Sequence, residues 1–313
     1  MKGNPLSVAP VTPVPSAEVP STPSINPSPA SGPLLKIRPP GRFSALAAGE
    51  LWQFRDLLRA LAIRDLKVRY KQTALGIVWV VLQPLMGALI FTLVFGGLAK
   101  LPSDGVPYML FAFAGMLGWQ TFNSTLTKAS DCIVGNSALV SKIYFPRLIL
   151  PLSTVLSTLI DFAVSFVVML ILLAVYHKEV HTGLGLLLLP VPLTLMIVLA
   201  VGLGMYTSAL MVTYRDLKHV MPMMIQVLQY ASPIAYSITL VEQTETAAKH
   251  PALLTLYHLN PLVELVQVMR WSLLGAGEVS WGWFAYSAGA VIAMFIFGTF
   301  AFKRMERRFA DVI

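Results

Sequence analysis

The chain has 313 residues, 56% of them hydrophobic and 12% charged, and 23 Lys and Arg against 15 Asp and Glu give a formal net charge of +8. A soluble globular domain carries about 25% charged residues, so a surface that faces water all round is excluded and the composition is that of a membrane protein. Cys132 is the only cysteine, which excludes a disulfide framework and any cysteine-built zinc or iron–sulfur site.

In chain order, residues 1–45 form a cytoplasmic proline-rich arm. Residues 1–40 hold 11 of the 22 prolines, interleaved with Ser, Thr and Ala, and no apolar run long enough for a signal-peptide core. Such a segment is expected to be disordered and partly polyproline II. It reads either as a docking tail for a proline-recognising partner or as a dispensable extension.

Residues 46–73 change character. Leu51, Phe54, Leu58 and Leu61 recur at helical spacing, and Arg55, Asp56, Arg59, Arg64, Lys67, Arg69 and Lys71 fill the other positions. This predicts an amphipathic helix in the cytoplasmic interface, with Trp52 and Tyr70 at headgroup level and its basic residues favouring anionic lipid. An anchor alone, or a gate or partner contact, would produce the same pattern.

The transmembrane domain takes up residues 74–313. Six stretches are long enough to cross a bilayer core of about 30 Å. They are Ala74–Ala99, Tyr108–Thr127, Leu148–Tyr176, Leu184–Thr213, Val220–Val241 and Trp281–Phe302, and Asp161 is their only charged residue among the 38 in the chain. Lys and Arg sort by side: 19 of 23 fall in the first segment, the second and fourth interhelical loops and the tail. The positive-inside rule makes that side cytoplasmic, and an even span count puts both termini there. The +8 is thus an orientation signal, and no nucleic-acid partner is inferred from it.

Two loops stand out. Lys128–Arg147, cytoplasmic, contains Gly135-Asn136-Ser137, the short run Ala138–Tyr144 and Pro146, and is expected to form one or two helical turns that either offer a docking surface or simply connect. Glu242–Ser280, external, contains Asn260-Pro261 followed by Leu262–Leu274, with Glu264, Gln267 and Arg270 on one stripe. That helix rises about 20 Å, too short to cross, and predicts a re-entrant or interfacial helical hairpin.

Motifs for covalent chemistry are missing. The dipeptide Gly-Lys never occurs, so there is no P-loop, and no Gly-x-x-x-Gly spacing occurs either. His177 and His181 with Glu179 lie in a short external loop without further ligands, so no metal site is expected. Asp161, mid-span, is either a proton-coupling group or a protonated acid bonded to a neighbouring helix, because the span pattern offers it no intramembrane base. Two predicted spans carry uncharged polar stripes: Gln120, Asn123, Ser124 and Thr127 beside Trp119 and Phe122, and Gln226, Gln229, Tyr230, Tyr236 and Ser237. These suit either a lumen for an uncharged polar substrate such as sugar, or interhelical glue.

Several segments together resemble the ABC-2 type permeases that export polysaccharides, most closely the O-antigen (Wzm-type) branch, with capsule and teichoic-acid permeases near it. They are Arg64–Trp79 with Gln83-Pro84, Gly135–Pro151, Thr213–Lys218, Ala231–Tyr236, Leu259–Leu262 and Arg270–Gly275, and the likeness runs from Leu51 to the C-terminus. It implies an all-α membrane protein with six transmembrane helices, an N-terminal cytoplasmic amphipathic gate helix, and an external gate hairpin between spans five and six. It further implies a homodimer in the inner membrane that recruits two copies of a separate ATPase subunit. ATP and Mg would be bound by that partner, this chain carrying no cofactor and no catalytic residue, and the cargo would be a lipid-linked polysaccharide. The family's coupling helix maps onto Asn136–Arg147, making Asn136, Leu139, Lys142, Tyr144 and Arg147 candidates for the ATPase contact. The gate helix maps onto Trp52, Arg59, Arg64 and Tyr70, and the external gate onto Asn260, Glu264 and Arg270. Trp119, Gln120, Asn123, Gln226, Gln229, Tyr230 and Tyr236 are the lumen candidates. The proline-rich arm has no counterpart in that pattern. The alternatives are an ABC-2 exporter of teichoic acid, capsule, drug or simple lipid, and, more remotely, a proton-coupled transporter using Asp161.

Overall fold

A computed structural model describes residues 48–71, 76–177, 183–306 and Phe309. The proline-rich arm, the side chain of Tyr70, and Glu179 with His181 lie outside the described residues. Helices account for all regular structure among those described, and no strand occurs.

The chain enters through a short turn, α1 (Ala48–Gln53), and α2 (Arg55–Lys71). Leu, Ala and Arg give α2 strong helix propensity, and Asp56 in its first turn suits the positive end of the helix dipole. Its apolar stripe is covered by protein as well as by any lipid. Leu61 joins Ile133, Val140, Phe145, Leu148 and Phe302 in one apolar cluster, with Phe54, Leu57 and Leu58 packed on its edge. Arg59, Arg64 and Lys67 stay exposed, and Trp52 is 70% exposed.

The membrane body follows. Helix α3 (Gly76–Phe91) runs on through a π-helical segment, Thr92–Leu98. Next come α4 (Tyr108–Asp131), the short α5 (Ser137–Lys142), α6 (Ile149–Val175), and α7 (Pro190–Thr213), which is entered through a 3-10 turn at Leu184–Leu188. Helices α8 (Leu217–Tyr230), α9 (Ile238–Glu242), α10 (Glu245–Lys249), α11 (Pro251–His258), α12 (Pro261–Leu274) and α13 (Trp281–Glu306) complete it.

Val78–Leu98, Ile149–Val175, Gly185–Thr213 and Trp281–Glu306 are long and apolar enough to cross a membrane, and α11 with α12, bent by 71°, passes only as a pair. The four agree with predicted spans to within four residues at either end. Helix α4 is long enough to cross but less apolar, because it packs against α3, α6, α7 and α12 and meets protein where an outer helix would meet lipid. Sixteen of its 24 residues are buried, Thr121 and Thr125 among them, while Gln120 and Asn123 are half-buried and Thr127 is exposed.

The fifth predicted span, Val220–Val241, is corrected. Its helix α8 stops at Tyr230 after 14 residues, and helix resumes only at Ile238. Pro233 causes the stop: it lacks an N–H for the ladder and forces the preceding residue out of the helical region.

Without a Gly-x-x-x-Gly repeat, the closest backbone approach is made by single glycines. A Cβ on Gly298 of α13 would lie 2.0 Å from the Gly202 carbonyl oxygen of α7. These two residues let α7 and α13 touch backbone to backbone, the packing that substitutes for a hydrophobic driving force between helices in lipid.

Candidate functional site

The predicted coupling segment is a protruding turn whose two sides differ. Ile133, Val140, Phe145 and Leu148 are buried in the cluster that also holds Leu61, whereas Lys142 is exposed, Ile143 is 56% exposed and Tyr144 71%. The ATPase-contact candidates therefore separate. Lys142 and Tyr144 project, and Leu139 is half-buried. Arg147 turns inward, donating from Nη1 to the Glu306 carbonyl and sitting over the Phe309 ring at 5.6 Å, so it ties the segment to the end of α13. Asn136 is also tethered: Nδ2 donates to the Cys132 carbonyl at 2.8 Å, and Oδ1 accepts from Arg64 Nη2 of α2 at 2.7 Å. Burial pushes the Cys132 thiol well above its ordinary range, so it is an unreactive core group. Beside α5, a cleft of about 350 Å³ opens between Ser137, Asp131, Arg215 of the α7–α8 turn and Lys218 in the first turn of α8.

The lumen candidates are also divided by the structure. Trp119 is 2% exposed and packs against Phe122 at 5.6 Å, which makes it a core residue. Gln120 reaches the surface of α4 and donates to Gln83 Oε1 of α3 at 3.2 Å, while Asn123 accepts from Thr127 one turn on. On α8, Gln226 and Tyr230 are exposed and Gln229 half-buried. Tyr236 lies past the helix end, its hydroxyl donating to the Tyr230 carbonyl at 3.1 Å.

Between α3, α4 and α6 a polar recess of about 20 Å³ is lined by Gln83, Gln120, Ser124, Thr158 and Asp161, among others. That is room for one water molecule. Asp161 is not left without a base, contrary to expectation. Lys128, the basic residue of the last turn of α4, brings Nζ to 3.0 Å from Asp161 Oδ2 and 3.0 Å from Ser157 Oγ. The span prediction ended at Thr127, one residue short of this partner. The arrangement is a charge-assisted pair bracing α4 against α6.

The hairpin of α11 and α12, bent by 71°, has two unlike arms: twelve of the fourteen residues of α12 are buried, while α11 exposes Leu253 and Leu256. Asn260 caps α12, accepting from the Leu262 N–H at 3.1 Å, and its amide donates to Ser232 Oγ at 3.2 Å, stitching the hairpin bend to the break after α8. Glu264 Oε1 lies 3.0 Å from Nδ1 of His258, whose other nitrogen faces Glu242 at 3.5 Å and whose ring stacks on Trp283 at 5.0 Å. Arg270 is fully buried: Nη2 donates to the carbonyls of Pro233 at 2.7 Å and Ile234 at 3.2 Å, and the guanidinium sits 3.7 Å above the Phe111 ring. It thus satisfies backbone acceptors that the broken helix leaves without intrahelical partners. Gly115 makes room for this, since a Cβ there would lie 2.7 Å from the Ile234 carbonyl oxygen.

Sequence reasoning missed His258, Asp104 and Tyr108. Asp104, in the left-handed region with φ 53°, accepts from Ser237 at 2.6 Å, and the Tyr108 hydroxyl donates to the Ala235 carbonyl, so both also bind the 231–237 break. Only the Asp104-Gly105 turn dipeptide could have flagged one of them.

Residues 56–274 match the model of the ABC-2 type transporter family. Over 217 residues the chain is 30% identical to an O-antigen export system permease protein, RfbA, of Myxococcus xanthus, covering 69% of this chain and 80% of that one. An RfbA of Klebsiella pneumoniae is 26% identical over 258 residues, 82% of this chain and 95% of the relative. The polysialic acid transport protein KpsM of Escherichia coli is 26% identical over 220 residues, covering 68% and 79%. With the family model spanning most of an all-helical chain that has several membrane-crossing helices, this protein belongs to the ABC-2 type transporter family.

Proposed function

We propose that this chain is the permease subunit of an exporter that moves a lipid-linked polysaccharide, O-antigen or a similar polymer, across the inner membrane, driven by ATP hydrolysis on a separate ATPase subunit. The observation that carries this reading is the joint likeness to O-antigen export permeases and to a polysialic acid transport protein. The lack of any P-loop in the chain makes a separate ATPase necessary, and Lys142, Ile143 and Tyr144 supply an exposed knob for it.

The topology is six crossings with both termini cytoplasmic. Helices α3, α4, α6, α7 and α13 cross as continuous elements. The remaining passage is made by α8, about 21 Å long, continued by the turns and bends of residues 231–237. Two copies of the chain would enclose the path, with the uncharged amides of Gln120, Gln226 and Gln229 offering hydrogen bonds to sugar hydroxyls. Binding of ATP to the partner would shift the equilibrium between inward- and outward-open states.

The test is deletion of the gene followed by complementation. Surface glycan should disappear, lipid-linked polymer should accumulate inside, and neither the native chain with an ATPase-dead partner nor the partner alone should restore export. Normal long-chain glycan at the surface of the deletion strain would overturn the reading.

A further inference from the structure

The amphipathic helix and the ATPase-facing segment are far apart in sequence and joined in space. Arg64 Nη2 donates to Asn136 Oδ1 at 2.7 Å across 72 residues. Neither end of this bond is loose. Asp65 holds the Arg64 guanidinium through Nε at 3.0 Å and Nη2 at 2.7 Å, and Asn136 is held by its own bond to the Cys132 carbonyl. Asn136 also occupies the position that caps the start of α5, so any displacement of α5 carries it along. Directly beneath, Leu61 of α2 shares an apolar cluster with Ile133 and Val140, while Ala62 is fully buried.

We propose that α2 and the segment 134–142 move as one body, with Arg64 as the positioning residue that keeps them in register. The inference rests on reading α5 as the ATPase contact and deepens it: a push on Lys142 and Tyr144 is delivered to the amphipathic helix at the membrane surface, and not to α6 alone. The two kinds of contact divide the task. The apolar cluster resists compression but is non-directional, whereas the guanidinium-to-amide bond fixes how α5 is turned relative to α2. Because the bond is exposed, it adds little to stability. Its removal leaves the fold in place and loosens the coupling.

Two measurements on the full complex with its ATPase test this. In the first, Arg64→Cys and Asn136→Cys are combined and bridged with a short bifunctional thiosulfonate, Cys132 staying unlabelled in the core. The bridged complex is expected to export at a rate within about twofold of the native complex, and the unbridged double variant, which lacks the bond as Arg64→Ala does, about fivefold or more slowly. Loss of export that is reversed by reductant would show that the two segments must separate, and would overturn the proposal. In the second, Arg64→Ala is expected to lower export by about fivefold or more while ATP hydrolysis by the complex changes less than about twofold, and Arg64→Lys with Asn136→Asp is expected to restore export. Native export by Arg64→Ala would also overturn it. Failure of the functional reading would be seen separately, as no ATP-dependent export by the unmodified chain. Spin labels at Lys67 and Ala138, exposed positions near Arg64 and Asn136 in sequence that leave the bond intact, then decide: an unchanged separation when the ATPase and nucleotide are added supports the proposal, and a changed one refutes it.

Discussion

A guanidinium with no access to solvent is expensive unless every direction it faces is answered. Arg270 is answered at Nη1 by an amide oxygen from Gln267, at Nη2 by two backbone carbonyls and across its plane by the face of Phe111, while its buried Nε has no hydrogen-bond partner. The planar fork is what lets one side chain reach the carbonyls of adjacent residues, and an ammonium cannot copy it. Arg270→Ala is therefore expected to lower stability by about 3–5 kcal/mol, with Arg270→Lys recovering only part, as measured by thermal unfolding in detergent. The pair formed by Lys128 and Asp161 is of a different kind, because Lys128 keeps partial access to solvent. A double-mutant cycle with Lys128→Ala and Asp161→Ala should give a coupling of about 0.5–3 kcal/mol in stability. If Asp161 is a brace between α4 and α6, Asp161→Asn should export without any new dependence on a proton gradient, and acquired or abolished sensitivity to an uncoupler would point to proton coupling. Asp161 stood out in the sequence as a lone charge in an apolar run, while its partner did not. Hydropathy marks where lipid ends, and the last turn of α4 is sheathed by protein, so Lys128 was read as loop.

Among the elements, the outer helices were the legible ones. Those facing lipid announce themselves by continuous apolarity, and α6, α7 and α13 agree with their predicted limits to within four residues. The passage after α8 reads as one span because residues 220–241 are apolar enough, and Pro233 is the local signal against it. What makes a full break tolerable is distant in sequence: Asp104, Tyr108, Asn260 and Arg270 all bind the 231–237 segment. The stripe of Glu264, Gln267 and Arg270 was visible at helical spacing, but a stripe does not say whether it faces water or a buried backbone. The contact between α7 and α13 is testable with two glycines on one helix. Gly298→Ala should destabilise by about 1–3 kcal/mol through overpacking against the Gly202 carbonyl. Gly282→Ala, where a Cβ meets nothing within 4 Å, should be neutral or stabilising by up to about 1 kcal/mol. On the cytoplasmic side, Lys142→Glu combined with Tyr144→Asp should abolish co-purification of the ATPase while leaving the thermal midpoint of the permease within a few degrees, since both side chains are exposed.

For the molecule as a whole, the described residues form two apolar clusters. One surrounds α4 and includes α12, and the other lies where α2, the 132–148 segment, α7 and α13 converge. The polar residues that sequence reasoning assigned to function fall around these clusters in three places: the projecting knob at α5, the surface amides of α4 and α8, and the sealed network under the outer hairpin. The first fits the reception of a push and the second the passage of a hydroxyl-rich cargo. The third is a network of buried polar contacts that holds the break after α8. The central claim is that a glycan crosses at the expense of ATP hydrolysed elsewhere, and it is tested most directly by reconstituting the purified chain and its ATPase in vesicles with a lipid-linked polysaccharide on one leaflet. Transfer of glycan to the opposite side that requires hydrolysable ATP and both subunits, and that is unaffected by collapsing the proton gradient, is the predicted result. Transfer without the ATPase, or transfer that stops when the gradient is collapsed while ATP remains, would contradict it.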